Sequence, residues 1–251
     1  MAVHRLLKEI GIRSFNYGGD QCTELAKRLL EAGPGGRLLD LGCGGGSITM
    51  EFAGLMHADE VRGIEYVDEC LDEAVRRGIA CSKADLNQAW DLPDGHFDLV
   101  LSTQNIEHVH NTRLYLEECR RVLKLGGQLL ITTENLSSWV NVAAVVLGWQ
   151  PFSAAGFSGW TAGVPPMLQI EESAPADDFV ERWHPSGVSG AMSHIRVLAY
   201  RGLRDLLTLA GFQRVSVFSR GYPPFWGRPA DVLARLDRRH GHFLVATGYK
   251  E

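Results

Sequence analysis

The sequence predicts a doubly wound α/β domain, a seven-stranded sheet with a cap inserted before its last third. Three observations predict it. Short apolar runs alternate with helical patterns along residues 37–134, which is how βαβ units joined by right-handed crossovers read. A glycine-dense bend, "LGCGGGS" at residues 41–47, stands between the first apolar run and the helix after it. The alternation stops between about Asn135 and Arg196, then resumes to the end of the chain.

Each element has its own signal. "DQCTELAKRLLEAGPGG" from Asp20 has helical spacing, an aspartate placed as a cap and a glycine-rich stop, and the residues before it read as a helical extension. "RLLDL" is the first strand, and "SITMEFAGLM" is a helix whose N-terminus carries the glycine bend. "VRGIEY", "DECLDEAVRRG" and "IACSKAD" read as strand, helix and strand. After the turn "LPDGH" come the buried strand "FDLVLST", the helix "TRLYLEECRRVLKLGG" closed by glycine, and the strand "QLLITTE". The closing part is the helix "YRGLRDLLTLAGF" and the strands "QRVSVFSR" and "HFLVATGY". Residues 1–134 and 196–251 therefore form the expected core, and 135–195 the cap. Sixty residues without regular rhythm are too many for a bare loop. Trp139, Trp149, Phe152, Phe157, Trp160 and Trp183 in this span supply the cap's own small core, an apolar wall for a ring-bearing or sugar acceptor, or both.

Composition narrows the classes. At 45% apolar and 22% charged, the 251 residues are those of an ordinary globular protein. A net charge of −5 gives a polyanion nothing to bind, and the pairs Arg76-Arg77, Arg120-Arg121 and Arg238-Arg239 are mixed with acids as on solvated helix faces. Five cysteines, none in a CxxC pair, imply reduced thiols and a cytoplasmic setting, with Cys22, Cys70 and Cys119 as small buried hydrophobes. The longest apolar-rich stretch, "WVNVAAVVLGW", is too short to span a bilayer, and no cleavable leader is visible. No nucleic-acid or membrane partner is expected, and the oligomeric state stays open.

A strand that runs through glycines into a helix exposes backbone N–H groups and a positive dipole end at the carboxyl edge of a parallel sheet. A dinucleotide fingerprint needs a third glycine where Ser47 stands, and no Gly-Lys-Ser/Thr follows, so a Walker loop is excluded. What remains is Gly42, Gly44 and Gly46 at alternate positions after Asp40. Taken with "GIEYVDECLDEA", "ADL", and "FDLVLSTQNIEHV" followed by "LEECRRVLKLGGQLLITT", this series resembles the class I S-adenosylmethionine-dependent methyltransferases over residues 37–134. The ending "LLTLAGF", strand, "FLVATGY" is similar to that family's antiparallel seventh strand, which implies a Rossmann-like, mostly parallel sheet.

The resemblance implies a cofactor, S-adenosylmethionine, with S-adenosylhomocysteine as product. The backbone at Gly42, Cys43 and Gly44 would lie against it, with Asp40 near its ammonium group. Glu65 would accept from both ribose hydroxyls, or else be a surface acid at a strand end. Tyr66 would pack on the adenine. Asp85 and Leu86 match the adenine-edge position, although Asp85 also suits a turn. Carbonyls near Thr103 and Gln104 would face the ammonium, and Tyr17 would close over the methionine end or simply pack as an aromatic.

On the acceptor side, His108 in "NIEHVHN" is the candidate base, because a neutral imidazole suits proton transfer near neutral pH. Glu107 stands beside it; the same pair also suits a structural cap of the following helix. Some quinone-modifying relatives carry Glu-x-x-Glu-His here with a divalent metal, but this chain has Gln104 at the first position, a poor hard-cation ligand, so no metal is expected. His184 and His194 lie in the cap, and His194 with Arg196 resembles an H-x-R seen in small-molecule methyltransferases; a structural histidine is the plainer reading. His4, His57 and His96 read as surface residues. The expected function is methyl transfer to a small molecule, at the hydroxyl oxygen of a sugar, polyketide-like or aromatic acceptor in a biosynthetic pathway. Methylation at nitrogen or carbon, or cofactor binding without catalysis, are the alternatives. A nucleic-acid methyltransferase should carry an Asn/Asp-Pro-Pro-Tyr/Phe tetrad where "STQN" stands, and an oxidoreductase is disfavoured by Ser47.

Overall fold

The computed structural model describes residues 2–31, 33, 35–157, 160–164 and 194–251. The chain begins with helix α1 (Ala2–Arg28), followed by β1 (Arg37–Leu41), α2 (Ser47–Leu55), β2 (Glu60–Ile64), α3 (Asp68–Arg76) and β3 (Ala80–Ser82). Next come β4 (Phe97–Thr103), a 3-10 turn (Ile106–His108), α4 (Thr112–Val122), β5 (Leu123–Glu134) and α5 (Trp139–Val146). A second 3-10 turn (Phe152–Ala154) and a small hairpin of β6 (Gly156–Phe157) and β7 (Trp160–Thr161) follow. The last elements are α6 (Tyr200–Leu209), β8 (Gln213–Arg220), α7 (Arg228–Leu236) and β9 (Phe243–Tyr249).

Seven strands make one sheet in the order β3-β2-β1-β4-β5-β9-β8. The first five are parallel, while β9 runs antiparallel to both β5 and β8. The sheet is therefore seven-stranded and mostly parallel, as the sequence predicts. Helices cover both faces, so each central strand is buried on both sides and its residues alternate between two cores. Leu39, Leu41, Val100, Leu129, Ile131, Leu244 and Ala246 face one layer, where Tyr115, Leu116 and Cys119 of α4 and Leu203 and Leu207 of α6 pack. Leu38, Leu99, Leu101, Leu130 and Val245 face the other, against Cys22 and Ala26 of α1 and Phe52 and Met56 of α2. Each fully buried Phe or Leu of this kind contributes roughly 1.5–3 kcal/mol of transfer free energy.

Four local expectations need correction. The first helix does not start at Asp20; α1 runs unbroken through Gly18, Gly19 and Asp20. Packing explains this, since a side chain at Gly18 would meet the Cα of Gly221 at 2.8 Å, so bare backbone here lets α1 press onto the β8–β9 end of the sheet. The strand "IACSKAD" shortens to β3, three residues at the sheet edge. Helix α4 ends at Val122 rather than at the glycines, and residues 123–127 already belong to β5, with a register shift against β4. Helix α7 was not anticipated, although Pro229 in its first turn and a Val232, Leu233, Leu236 spacing announce it. In the inserted span, α5, the 3-10 turn and the hairpin are described; Trp183 and His184 lie outside the described residues. The Asn135–Leu198 bridge closes the base of this span, with Leu136 N–H donating to the Leu198 carbonyl.

Candidate active site

At the carboxyl edge of the parallel strands, the loop 42–46 joins β1 to α2. Gly42 N–H and Cys43 N–H both donate to the Ile64 carbonyl, which ties the loop to the end of β2. Gly42 has φ +66°, and a Cβ there would fall 1.7 Å from Asn105 Nδ2. The position needs glycine twice over, for its left-handed backbone and for Asn105 lying against it. A Cβ on Gly44, by contrast, would meet nothing within 4 Å, so the loop offers bare backbone to open space there.

Two carboxylates flank this loop. Glu65, just past β2, is buried and accepts from Gly44 N–H at 2.8 Å, Tyr66 N–H at 2.7 Å and Val67 N–H at 2.9 Å. It therefore fixes the glycine loop relative to the β2 tip. Asp40, next to the last residue of β1, is buried; Oδ2 accepts from Thr49 Oγ1 at 2.6 Å, and Oδ1 has no partner among the described residues. Burial pushes its carboxyl up to about 7, aided by the neighbouring Glu65 charge. An orphaned carboxylate oxygen next to an exposed backbone cradle is suited to a cationic ligand group.

The other residues expected at a cofactor are held in different ways. The Tyr66 ring is 67% exposed, with Lys83 Nζ 5.6 Å from its centroid. Asp85 accepts from Asn87 N–H, Asn87 Nδ2 and Gln88 Nε2, which is the turn geometry and holds its pKa below the usual carboxylate range. Leu86 packs half-buried on the larger core. Thr103 ends β4, and Gln104 bends the chain with φ +49°, its N–H on the Thr132 carbonyl and its Nε2 on Thr132 Oγ1. The Tyr17 hydroxyl donates to Asp231 Oδ1 at 2.7 Å, joining α1 to α7.

Immediately beyond Asn105, the 3-10 turn presents Glu107 and His108. Glu107 is fully buried; Oε2 accepts from Thr133 Oγ1 at 2.8 Å and Oε1 has no partner among the described residues. Burial raises its carboxyl to about 7. The chain returning from the inserted span docks here, with Ile195 N–H and Arg196 N–H both donating to the Glu107 carbonyl. That docking brings His194 onto His108, ring centroids 4.9 Å apart and edge to face. His194 Nδ1 lies 2.6 Å from the Ser153 carbonyl, so in the neutral ring Nδ1 carries the hydrogen and Nε2 the lone pair. The Ser153 turn is itself held by Asn141, whose Nδ2 donates to Ser153 Oγ and whose Oδ1 accepts from Ser153 N–H. Glu107, His108 and His194 each offer one ligand atom within 4.8 Å of the others, a carboxylate and two imidazoles that suit a divalent transition ion. Gln104, the residue behind the expectation of no metal, is turned toward β5 and takes no part in this group.

Sequence reading missed Asn105, Ser153, Glu134 and His242. Glu134 ends β5 with Oε2 lying 3.8 Å from His194 Nδ1 and 3.7 Å from His242 Nε2. His242 is buried, which lowers its pKa and favours the neutral ring. Glu134 had a signal: it sits at a carboxyl strand tip, as Glu65 does. His240 and Asp237 clamp Trp139 instead, whose indole N–H donates to Asp237 Oδ2 and whose ring lies 4.5 Å from the imidazole. His57 is exposed, and half-buried His96 pairs with Glu60 at 3.0 Å.

The comparisons agree with this architecture. Residues 39–131 match the family model described as methyltransferase domain. A rat protein named "Ubiquinone biosynthesis O-methyltransferase, mitochondrial" is 33% identical over 127 residues, covering 49% of this chain and 35% of that one. A bacterial protein of the corresponding name from Maricaulis maris is 33% identical over 101 residues, 38% of this chain and 34% of that one. The chain thus spans about a third of the length of these curated relatives. Among solved structures, a Thermotoga maritima S-adenosylmethionine-dependent methyltransferase, described as a possible histamine N-methyltransferase, superimposes with a TM-score of 0.58 at 20% identity, covering 99% and 97% of the two chains. Strand order, the bend after β1 and the match over residues 39–131 place that segment in the methyltransferase-domain family, on the class I S-adenosylmethionine-dependent methyltransferase fold.

Proposed function

We propose that this protein is an S-adenosylmethionine-dependent methyltransferase that methylates a hydroxyl oxygen of a small-molecule acceptor. One observation carries the reading: Glu107, His108 and His194 converge directly after Asn105, the residue that lies on the cofactor-loop glycine. The preference for oxygen is supported by the names of the curated relatives, which are O-methyltransferases. Sugar, polyketide-like and aromatic hydroxyls are the narrower candidates. Among the described residues no helix is long and apolar enough to cross a membrane.

The residues present fit the cofactor. The open backbone at Gly44, the orphaned Asp40 Oδ1 and the Glu65 carboxylate would hold its amino-acid and ribose portions. When bound, S-adenosylmethionine supplies a methyl group already activated on a sulfonium, so the protein need form no covalent intermediate. The chain's own contribution is alignment and proton transfer. Rigid placement of two reactants supplies up to roughly 7–11 kcal/mol of barrier lowering. His194 accepts the acceptor's hydroxyl proton, because its bond to the Ser153 carbonyl fixes which nitrogen keeps a lone pair. His108 packs edge to face against that ring, and buried Glu107, with an oxygen within 4.8 Å of it, and Glu134, 3.8 Å from its Nδ1, balance the imidazolium.

Turnover of a mixed panel of phenolic, sugar and polyketide-like acceptors tests the proposal, with S-adenosylhomocysteine as the measured product. His194→Ala should lower turnover about 10²-fold or more with cofactor affinity unchanged. A loss confined to His108→Ala would assign the proton to His108, as sequence reasoning did. Activity is expected to survive chelation; loss on chelation restored by a divalent ion would assign the three-residue group to a metal. No product from any acceptor, with the cofactor bound, would overturn the enzyme reading.

A further inference from the structure

Two cysteines that lie 38 positions apart in the chain meet beneath the cofactor loop. Cys43 Sγ and Cys81 Sγ are 3.5 Å apart. Cys43 stands in the loop 42–46 after β1, Cys81 in β3, and strand β2 runs between β1 and β3. Contact across an intervening strand requires a gap in that strand. Gly63 provides it: in register it faces Asp40 on one side and Cys81 on the other, and a Cβ there would come within 2.6 Å of Cys43 Sγ. The remaining cysteines, Cys22, Cys70 and Cys119, are buried in other parts of the fold.

The pair has the asymmetry of a reactive dithiol. Cys43 is buried, whereas Cys81 is half-exposed in an edge strand bonded on one side only. The hydrogen bond from Cys43 lowers the Cys81 thiol below its ordinary value, and the same bond, with burial, pushes Cys43 up. Cys81 is therefore the nucleophile and Cys43 the resolving thiol. A disulfide needs sulfurs about 2.0 Å apart, so closure asks for an approach of roughly 1.5 Å.

We propose that Cys43 and Cys81 are a redox-modification site, converted by hydrogen peroxide to a disulfide that fastens the glycine loop to the sheet edge and weakens cofactor binding. In the first step the Cys81 thiolate sulfur attacks one peroxide oxygen. The O–O bond breaks, hydroxide leaves and takes up a proton as water, and Cys81 becomes a sulfenic acid. The Cys43 sulfur then attacks the Cys81 sulfur, forming S–S and breaking S–O, while the Cys43 proton leaves with the hydroxide as a second water. Two thiols lose two electrons and one peroxide is reduced to two waters. The loop carries Gly44, whose N–H is bonded to Glu65, so drawing Cys43 toward β3 moves the backbone against which the cofactor would lie. By linkage, bound cofactor shifts the thiol–disulfide equilibrium toward the dithiol. The effect on binding rests on the proposed function; the bond itself does not.

The full-length reduced protein is treated with stoichiometric hydrogen peroxide, blocked by alkylation and read by intact mass and peptide mapping. S-adenosylhomocysteine is then titrated by calorimetry into the reduced and oxidised forms. The expected result is two alkyl adducts fewer than in the reduced protein blocked the same way, a Cys43–Cys81 linked peptide reversed by a thiol reductant, and affinity at least tenfold weaker until reduction. Cys81→Ser should form no such peptide and keep its affinity after peroxide. Absence of the linked peptide from the parent protein overturns the site. A linked peptide with unchanged affinity overturns the coupling to the loop. Reduced protein that fails to bind S-adenosylhomocysteine defeats the cofactor reading instead, while the peptide map still decides whether the site exists.

Discussion

Replacing Glu65 by glutamine isolates what the carboxylate does at the glycine loop. The change keeps the shape of the side chain. One oxygen still accepts from Tyr66 N–H and Val67 N–H, but the other end becomes an amide NH₂ facing Gly44 N–H, a donor against a donor. A hydrogen bond to a charged group contributes about 1.5–3 kcal/mol, and an N–H left facing another donor loses that contribution. In the free protein the side-chain position of Gly44 opens onto free space, with no atom within 4 Å of a Cβ there, so water reaching the loop offsets part of this loss. In the complex the same loop must lie against the ligand, and the amide cannot accept from the ribose hydroxyls as a carboxylate does. The deficit therefore appears mostly in binding, as a loss of about 10- to 100-fold in affinity for S-adenosylhomocysteine. Calorimetric titration of parent and variant, with thermal melts of both, is the assay. Affinity within threefold of the parent, with the melts coincident, would refute the assignment of Glu65 to the cofactor loop.

Two further outcomes follow from the same loop. Gly42→Ala places a Cβ at φ +66° and 1.7 Å from Asn105 Nδ2, so it should cost at least about 2 kcal/mol and lower the Tm by roughly 4–8 °C; adding Asn105→Ala should recover the contact part and leave the backbone part of about 1 kcal/mol, and an unchanged Tm for the single variant would contradict the geometry. Asp40 has its folded pKa raised to about 7 from 3.8, so its protonated form stabilises the fold fully below the unfolded value and that contribution is lost as pH rises through about 7. Asp40→Asn removes the loss, and its stability relative to the parent should improve by an order of 3 kcal/mol between about pH 5 and pH 8, whereas a difference constant with pH would show that Asp40 ionises normally.

The sheet was legible because its demands are local. Runs such as "FDLVLST" and "QLLITTE" are buried on both faces, so consecutive apolar residues, "LVL" and "LLI", stand at their centres and the strand announces itself. Helices announce themselves by spacing, and where the reading slipped, a tertiary contact had overridden a local signal. Asp20 looks like a cap, yet α1 passes through it because Cys22 and Ala26 beyond it and Gly18 before it all pack on the sheet. The glycines after α4 look like a stop, but β5 enters the sheet before them and absorbs the irregularity as a register shift. In the inserted span aromatic content suggested a cap core or a pocket wall, whereas Trp139 is half-exposed and clamped between His240 and Asp237.

The candidate site divides along the same line. Gly42, Asp40 and Glu65 could be named because each answers a need set within its own strand and turn. Glu134 and His242 could not, since nothing in "ITTEN" or "HGHFL" says that the tips of β5 and β9 adjoin the chain returning at His194. Gly63 makes the distinction sharpest. A glycine inside a strand weakens it, so it needs a reason, and a local reading finds none. The reason is the Cys43 side chain, which comes from another turn and fills the space where a Cβ would stand. Any residue larger than glycine at 63 would part the two sulfurs and shift the cofactor loop together. A feature that reads as a flaw in the strand is thus the point at which the loop, the edge strand and the thiol pair are coupled.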